Sequence, residues 1–126
     1  MLIDCLQYCN WSEKIFKQWR DSNLTAVHVT ISYHEQFRET VSNFEQWNSW
    51  FENYHSLIMP AFYAEDVEIA KKQNKTAVIF GFQNPSPIED DIGLVEILHR
   101  LGGRFMQLSY NNQSLLATGC YEENDP

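Results

Sequence analysis

The chain has 126 residues, of which 44% are hydrophobic and 14% aromatic, and this is enough for one domain with a packed core. Only nine lysines and arginines and a formal net charge of −8 disfavour a surface that follows nucleic-acid phosphates. No apolar run approaches the roughly 18 residues of a membrane-spanning helix, and no secretion signal follows Met1, so we expect a cytoplasmic protein without a membrane span.

The first half of the chain alternates between strand and helix patterns. Residues 1–6 predict a short buried strand, and residues 12–22 predict an amphipathic helix that starts at an N-cap serine. Residues 26–32 have the β-branched content of a second strand. Apolar side chains recur at steps of three and four over residues 36–54, which predicts a long helix. The aromatic residues of this helix that we expect in the core are Phe37, Phe44, Trp47 and Phe51.

The second half continues the alternation. Residues 56–62 predict a third strand, although Pro60 is unfavourable at the centre of a sheet, and residues 65–73 predict a short helix. An apolar run then predicts a fourth strand over residues 76–83. The remaining elements are a loop over 84–87, a helix from Glu89 or Asp90 to Leu101, and a fifth strand over 104–110. No periodicity is visible from residue 111 to residue 126.

Regular alternation of strands and helices predicts a parallel sheet covered by helices, which is an α/β fold. Two architectures satisfy it: a small doubly wound, flavodoxin-like domain, and the first half of a (β/α)8 TIM barrel. The phosphate-loop glycine pattern of a nucleotide binder is absent. Because the fifth strand precedes a polar segment with no helix to cover it, we predict one partial domain over residues 1–126, the N-terminal half of a barrel.

Polar residues follow the predicted fourth and fifth strands at the point where each strand ends. They are Gln83 after the fourth strand and Tyr110, Asn111 and Asn112 after the fifth. Parallel sheets place ligands at the carboxyl ends of their strands. The sequence therefore predicts Gln83, Tyr110 and Asn111 as substrate-binding residues, although Asn111 and Asn112 could equally be loop residues that satisfy backbone groups.

Other polar residues have a structural and a functional interpretation. His34 and Glu35 follow the second strand, where they could serve acid–base or metal chemistry or could simply begin the next helix. For Asp4 and His28 we favour packed structural roles over metal ligation. Helix-end or surface positions explain the remaining candidates, which are His55, His99, Glu89, Asp90 and Asp91. The cysteines Cys5, Cys9 and Cys120 lack CxxC spacing, so we expect free thiols.

Three strings carry a resemblance to a known family. They are Gly-Phe-Gln-Asn at 81–84, Ile-Glu-Asp-Asp-Ile-Gly-Leu at 88–94, and Leu-Gly-Gly-Arg-Phe-Met-Gln-Leu-Ser-Tyr-Asn-Asn at 101–112. Together they closely resemble the membrane (renal-type) dipeptidase family, peptidase family M19. Leu-Ile-Asp at 2–4 is similar to the opening strand of that family, and residues 21–33 are similar to its second unit.

The resemblance implies an amidohydrolase-like (β/α)8 barrel that holds two zinc ions. It also implies a dipeptide substrate with free termini, cleaved by a metal-bound hydroxide, since a metal lowers the pKa of bound water and polarises a carbonyl. The zinc-binding His-x-Asp pair of the family falls on Leu6 and Tyr8, and the bridging glutamate falls on Gln83. A substrate-contacting histidine of the family falls on Tyr110.

None of these residue types is a good zinc ligand, because leucine has no donor atom, a phenol titrates near pH 10 and an amide lacks charge. We therefore expect no metal ligand in this segment, and the two remaining family histidines belong to later strands. Two functions stay open, a metallo-dipeptidase completed by those strands, and a binding or regulatory barrel without hydrolysis. Residues 1–126 by themselves are expected to be inactive, and both a monomer and a homo-oligomer are open.

Overall fold

The computed structural model describes residues 1–124, and in that range strands and helices alternate as the sequence predicts. The strands are β1 (Ile3–Gln7), β2 (Ala26–Ser32), β3 (Ile58–Pro60), β4 (Thr76–Phe82) and β5 (Gly103–Met106). The helices are α1 (Glu13–Asp21), α2 (Phe37–Asn53), α3 (Ala64–Lys72) and α4 (Leu94–Arg100), and a 3₁₀ turn covers Ser86–Ile88.

The strands form one parallel sheet in which β4 is central. β1 pairs with β2, and β2 pairs with β4 along the whole length of both strands. On its other side β4 has two partners, because β3 pairs with its first residues and β5 with its last. The short β3 therefore lies in line with β5, and β1, β2, β4 and β5 are successive neighbours across the sheet.

Helix α3 lies on the opposite face of the sheet from the other helices, and the handedness of the connections explains this. The chain moves across the sheet in one direction from β1 through β2 to β3, steps back from β3 to β4, and then moves forward again to β5. Parallel crossovers are almost always right-handed, so a backward step places its helix on the other face.

The larger core cluster lies on the face covered by α1, α2 and α4. Val27, Val29 and Val78 point from the strands toward this layer and are at most 1% exposed. The helices contribute Phe16, Trp19, Phe44, Trp47 and Leu98, while Phe37 and Phe51 pack at its margin. The aromatic residues predicted for the core of the long helix are thus confirmed.

A smaller cluster lies on the opposite face, at the amino ends of the strands. Ala26 and Ala77 are direct partners in the β2–β4 ladder and are fully buried beneath α3. Val67 and Ala70 of α3 pack against them, and the small alanine side chains allow the helix to approach closely. The start of α3 is held by Asp66, whose carboxylate accepts hydrogen bonds from the backbone N–H groups of Phe62 and Tyr63.

The structure corrects several predicted boundaries. β1 is largely exposed rather than buried, because it lies at the edge of the described sheet and one face of it has no covering element. β3 has three residues and ends at Pro60, although the N–H of Ala61 still donates to the carbonyl of Val78 in β4. β5 ends at Met106, and the N–H of Gln107 makes one last bond to the carbonyl of Phe82.

The predicted start of the last helix is also wrong. α4 begins at Leu94, and Glu89, Asp90 and Asp91 belong to the turn before it. Asp91 accepts a hydrogen bond from the backbone N–H of Gly93, which is a local turn contact. The interpretation of these carboxylates as helix-start charge therefore fails for α4. In residues 1–124 no helix is long and apolar enough to cross a membrane.

Candidate functional site

The carboxyl ends of β2 and β4 are tied together by Gln83. Its backbone N–H donates to the carbonyl of Ser32 at 3.0 Å, which extends the β2–β4 pairing by one bond. Its side-chain amide donates to the hydroxyl of Thr30 at 2.7 Å. One N–H of the amide is therefore used, and the second N–H and the amide oxygen are the groups that Gln83 can offer to a ligand.

Three tyrosines stack above the same edge of the sheet, and we call Tyr8, Tyr33 and Tyr110 the tyrosine cluster. They follow β1, β2 and β5 respectively. The ring centroids of Tyr8 and Tyr33 are 5.9 Å apart with nearly parallel planes, and those of Tyr33 and Tyr110 are 4.5 Å apart. His34 packs edge-on against Tyr33 at 4.5 Å.

The phenol of Tyr33 is kept protonated. A hydrogen bond to Tyr110, together with desolvation and the nearby phenols, raises the pKa of Tyr33 to about 12. A phenol that binds a metal must release its proton, so the environment of Tyr33 opposes metal coordination. Tyr33 instead presents a neutral aromatic ring and a hydroxyl group to its stacking partners.

His34 and Glu35 have different positions in the loop after β2. The Nδ1 atom of His34 is 3.1 Å from the side-chain nitrogen of Asn84, which follows β4, so the two loops are in contact. Burial raises the pKa of Glu35, but hydrogen bonds from the backbone N–H groups of Tyr33 and His34 and from the Ser32 hydroxyl outweigh burial and lower it overall. Glu35 therefore closes the loop on itself and precedes α2 rather than lying in its first turn.

A cleft of about 650 Å³ lies over this edge, and we call it the rim cleft. Its walls come from the loops after β2, β4 and β5. They comprise His34, Gln36, Asn84, Pro85, Ser86, Ile88, Glu89, Asp90, Tyr110 and residues 112–116. Two carboxylates and no lysine or arginine belong to this described lining, so the cleft carries negative charge.

Glu89 has an unusual backbone conformation in the wall of the rim cleft. Its φ of 50° and ψ of −123° lie in a region that favours glycine. Its carboxylate accepts a hydrogen bond from the backbone N–H of Phe37 at 3.2 Å, which satisfies a free donor at the start of α2. The loop after β4 is thus fixed to the helix after β2.

Asn111 has the loop role that the sequence left open beside substrate binding. Its backbone has a φ of 62°, its carbonyl accepts a hydrogen bond from the N–H of Tyr121, and its side chain accepts one from the Cys120 thiol. It does not belong to the lining of the rim cleft, whereas Asn112 does. The structure therefore gives Asn111 a turn role, and its predicted substrate contact stays a prediction.

His28 and Asp4 have the packed positions that the sequence favours. The His28 ring lies against Gly81 and Phe105, and its Nδ1 atom is 2.7 Å from the carbonyl oxygen of Cys5. Its Nε2 atom is buried and has no hydrogen-bond partner in residues 1–124. Asp4 accepts a hydrogen bond from the amide of Gln7, whose oxygen in turn accepts one from the Trp19 indole, on the helix-covered side of β1.

The remaining candidates are surface groups or free thiols. His55 and His99 are exposed, as predicted. Cys5, Cys9 and Cys120 are free thiols in the structure, and burial raises the pKa of Cys9.

The described residues do not fit a zinc site. In residues 1–124 no three histidine, cysteine, aspartate or glutamate side chains are close enough together to hold a metal ion. The family's ligand positions are occupied by an exposed leucine (Leu6), by Tyr8 in the aromatic stack, and by the hydrogen-bonded amide of Gln83. None of them supplies an anionic or imidazole donor.

Sequence reasoning missed Tyr33 and Thr30. Tyr33 directly follows β2, as Gln83 directly follows β4, so the rule that selected Gln83 could also have selected Tyr33. Thr30 carries no such signal, because its role depends on the register in which it lies beside Gly81 and below Gln83.

Two solved structures have an architecture similar to that of this chain. The crystal structure of an amidohydrolase from Pseudomonas aeruginosa is 37% identical and matches 98% of this chain with a TM-score of 0.93. The probable dipeptidase PvdM from Pseudomonas aeruginosa is 15% identical and matches 81% with a TM-score of 0.69, a similarity of fold alone. This chain spans 38% and 30% of those two chains. A search of curated proteins finds no match.

The parallel sheet, its helices and these superpositions define a class: the chain corresponds to the N-terminal part of a TIM-barrel amidohydrolase fold. The family model of the membrane dipeptidases, peptidase family M19, matches residues 14–126. The chain therefore belongs to the membrane dipeptidase family, a family of hydrolases.

Proposed function

We propose that the protein hydrolyses small amide substrates of the dipeptide class and that residues 1–126 form one wall of its substrate pocket. The observation that carries this proposal is the position of Gln83 and Tyr110. Both lie at the carboxyl edge of the sheet, where TIM barrels bind substrate, and Tyr110 borders a cleft whose volume suits a dipeptide.

In this proposal the described residues bind and orient the substrate. The Gln83 amide oxygen accepts a hydrogen bond from a substrate N–H, while one N–H of the same amide donates to Thr30 and fixes the orientation of the side chain. Tyr110 supplies aromatic surface in the wall of the rim cleft. In the family a metal supplies the activated water, but the residues described here do not fit a metal, so we assign them no part in that step.

The proposal extends to the architecture. The open edges of β1 and β5 are where further strands would close the barrel, so residues 1–126 would be the first βα units of a larger domain. A cytoplasmic location stays a prediction.

Hydrolysis is tested with the full-length protein and a panel of dipeptides, with and without a chelator, and with the metal content measured in parallel. We expect cleavage of at least one dipeptide. Gln83→Ala should lower kcat/KM about tenfold, which corresponds to loss of a hydrogen bond worth about 1.4 kcal/mol. Gln73→Ala is the matched control, since Gln73 is an exposed glutamine at the end of α3. No cleavage anywhere in the panel would contradict the proposal.

A second candidate is a binding protein that has lost hydrolysis. It is favoured by Leu6 and Tyr8, which replace the family's zinc ligands with side chains that cannot take that role. It predicts that dipeptides bind without turnover, whatever metal is added. Hydrolysis that a chelator abolishes would eliminate it.

A further inference from the structure

The rim cleft and the tyrosine cluster share a residue, and this shared residue indicates what they bind. Tyr110 lines the cleft and also stacks on Tyr33, while His34 lines the cleft and packs edge-on against both rings. One wall of the cleft is therefore aromatic and packs against its own stacking partners.

The loop after β4 supplies negative charge to the rim cleft. Glu89 and Asp90 are exposed carboxylates in the loop after β4, and the described lining contains no lysine or arginine to neutralise them. The whole chain has a net charge of −8, so the long-range field has the same sign. An anionic ligand would be repelled here, whereas a cation would be attracted.

Aromatic faces also attract cations. A positively charged group over a tyrosine ring interacts with the negative face of the ring, and organic ammonium groups are frequently recognised in this way. The raised pKa of Tyr33 keeps that phenol neutral, so it offers a ring face and a hydroxyl group rather than an anionic oxygen. This chemistry suits an organic ammonium group and disfavours a bare divalent metal ion.

We propose that the rim cleft binds an organic ammonium group, with Tyr110 as its aromatic wall and Asp90 and Glu89 as its counter-charges. This inference rests on the proposed function, because it assigns the cationic end of the substrate to this cleft.

The test measures equilibrium binding of two probes of matched shape, choline and its neutral isostere 3,3-dimethylbutan-1-ol, to the full-length protein. Both are titrated in the presence of a chelator and followed by NMR of the tyrosine ring carbons. We expect choline to bind about two- to thirtyfold more tightly than the alcohol, the range for a cation–π contact. The resonances of Tyr110 and Tyr33 should shift with choline.

Substitutions locate the site. Tyr110→Leu should remove most of the preference for choline, while Tyr110→Phe keeps the ring and should retain it. Because Tyr110→Leu removes a stacked ring, Asp90→Asn at an exposed position is the second variant, and it should weaken choline binding several-fold. Tyr63→Leu, at an exposed tyrosine outside the cleft, is the control and should change neither affinity.

Equal affinities for choline and the alcohol would overturn the proposal, and so would a preference for choline that survives both Tyr110→Leu and Asp90→Asn. Neither probe can be hydrolysed and the chelator removes metal, so the result does not depend on turnover. A protein that binds choline but cleaves no dipeptide would retain this inference and lose the proposed reaction.

Discussion

The ring of His28 leaves no room for a side chain at Gly81. A Cβ atom at position 81 would overlap the Nε2 atom of His28, whose ring is held by the Cys5 carbonyl and by Phe105. The backbone φ of Gly81 is not positive, so the lack of a side chain matters here for packing and not for backbone freedom.

Gly81→Ala should therefore destabilise the full-length protein by about 1–3 kcal/mol, the usual cost of overpacking. In a His28→Ala background the same change should cost much less, because the overlapping ring is gone. Urea unfolding of the four variants measures the coupling. Gly93→Ala, at a helix-compatible φ of −62°, is the control, and equal costs of Gly81→Ala in both backgrounds would contradict the explanation.

Tyr33 predicts a dependence on alkaline pH. Its pKa in the folded protein is about 12, against 10.0 ordinarily, so the fold favours the protonated phenol. This contribution to stability is complete below pH 10 and is lost as the pH rises from 10 to 12, because the unfolded chain then releases its proton first. Absorbance titration at 295 nm should show one late phenol that disappears in Tyr33→Phe. If the late step persists in that variant, the assignment is wrong.

At the scale of elements, Glu89 links the loop after β4 to helix α2. Glu89→Ala removes the acceptor at the start of α2 and keeps the strained backbone, so it should cost about 1 kcal/mol of stability. Glu89→Gly removes the same acceptor but relieves the backbone, and it should be close to neutral. Thermal unfolding of the two variants distinguishes them, and a glycine variant less stable than the alanine variant would refute the account of strain.

Some of the helices and strands could be predicted from the sequence pattern, and others could not. Periodicity alone located α2 and β4, because a long apolar face and a continuous apolar run each fit one kind of secondary structure. It misplaced the start of α4, since the bond that engages Glu89 comes from Phe37, which lies 52 positions away in the sequence. The stacking of the tyrosine cluster was not predicted for a similar reason. Three separate loops bring its rings together, and no local sequence pattern indicates that contact.

At the scale of the whole molecule, both outer strands of the described sheet expose apolar side chains. Leu2, Ile3 and Leu6 beside β1 and Phe105 and Leu108 beside β5 are each about half exposed or more. A polypeptide of residues 1–126 produced alone should therefore bind a hydrophobic dye and self-associate, whereas the full-length protein should not. Leu6→Lys in the short polypeptide should reduce both effects. A monomeric, cooperative melt without dye binding would favour a self-contained domain.

The backward step from β3 to β4 bears on where a substrate would enter the proposed barrel. It sets α3 across the amino ends of β2 and β4, where Val67 and Ala70 pack on buried alanines. In the closed barrel that we propose, α3 would cover the interior at that end, and small molecules would enter past the loops that carry Tyr110 and Asp90. Product would then leave by the route along which the next substrate arrives.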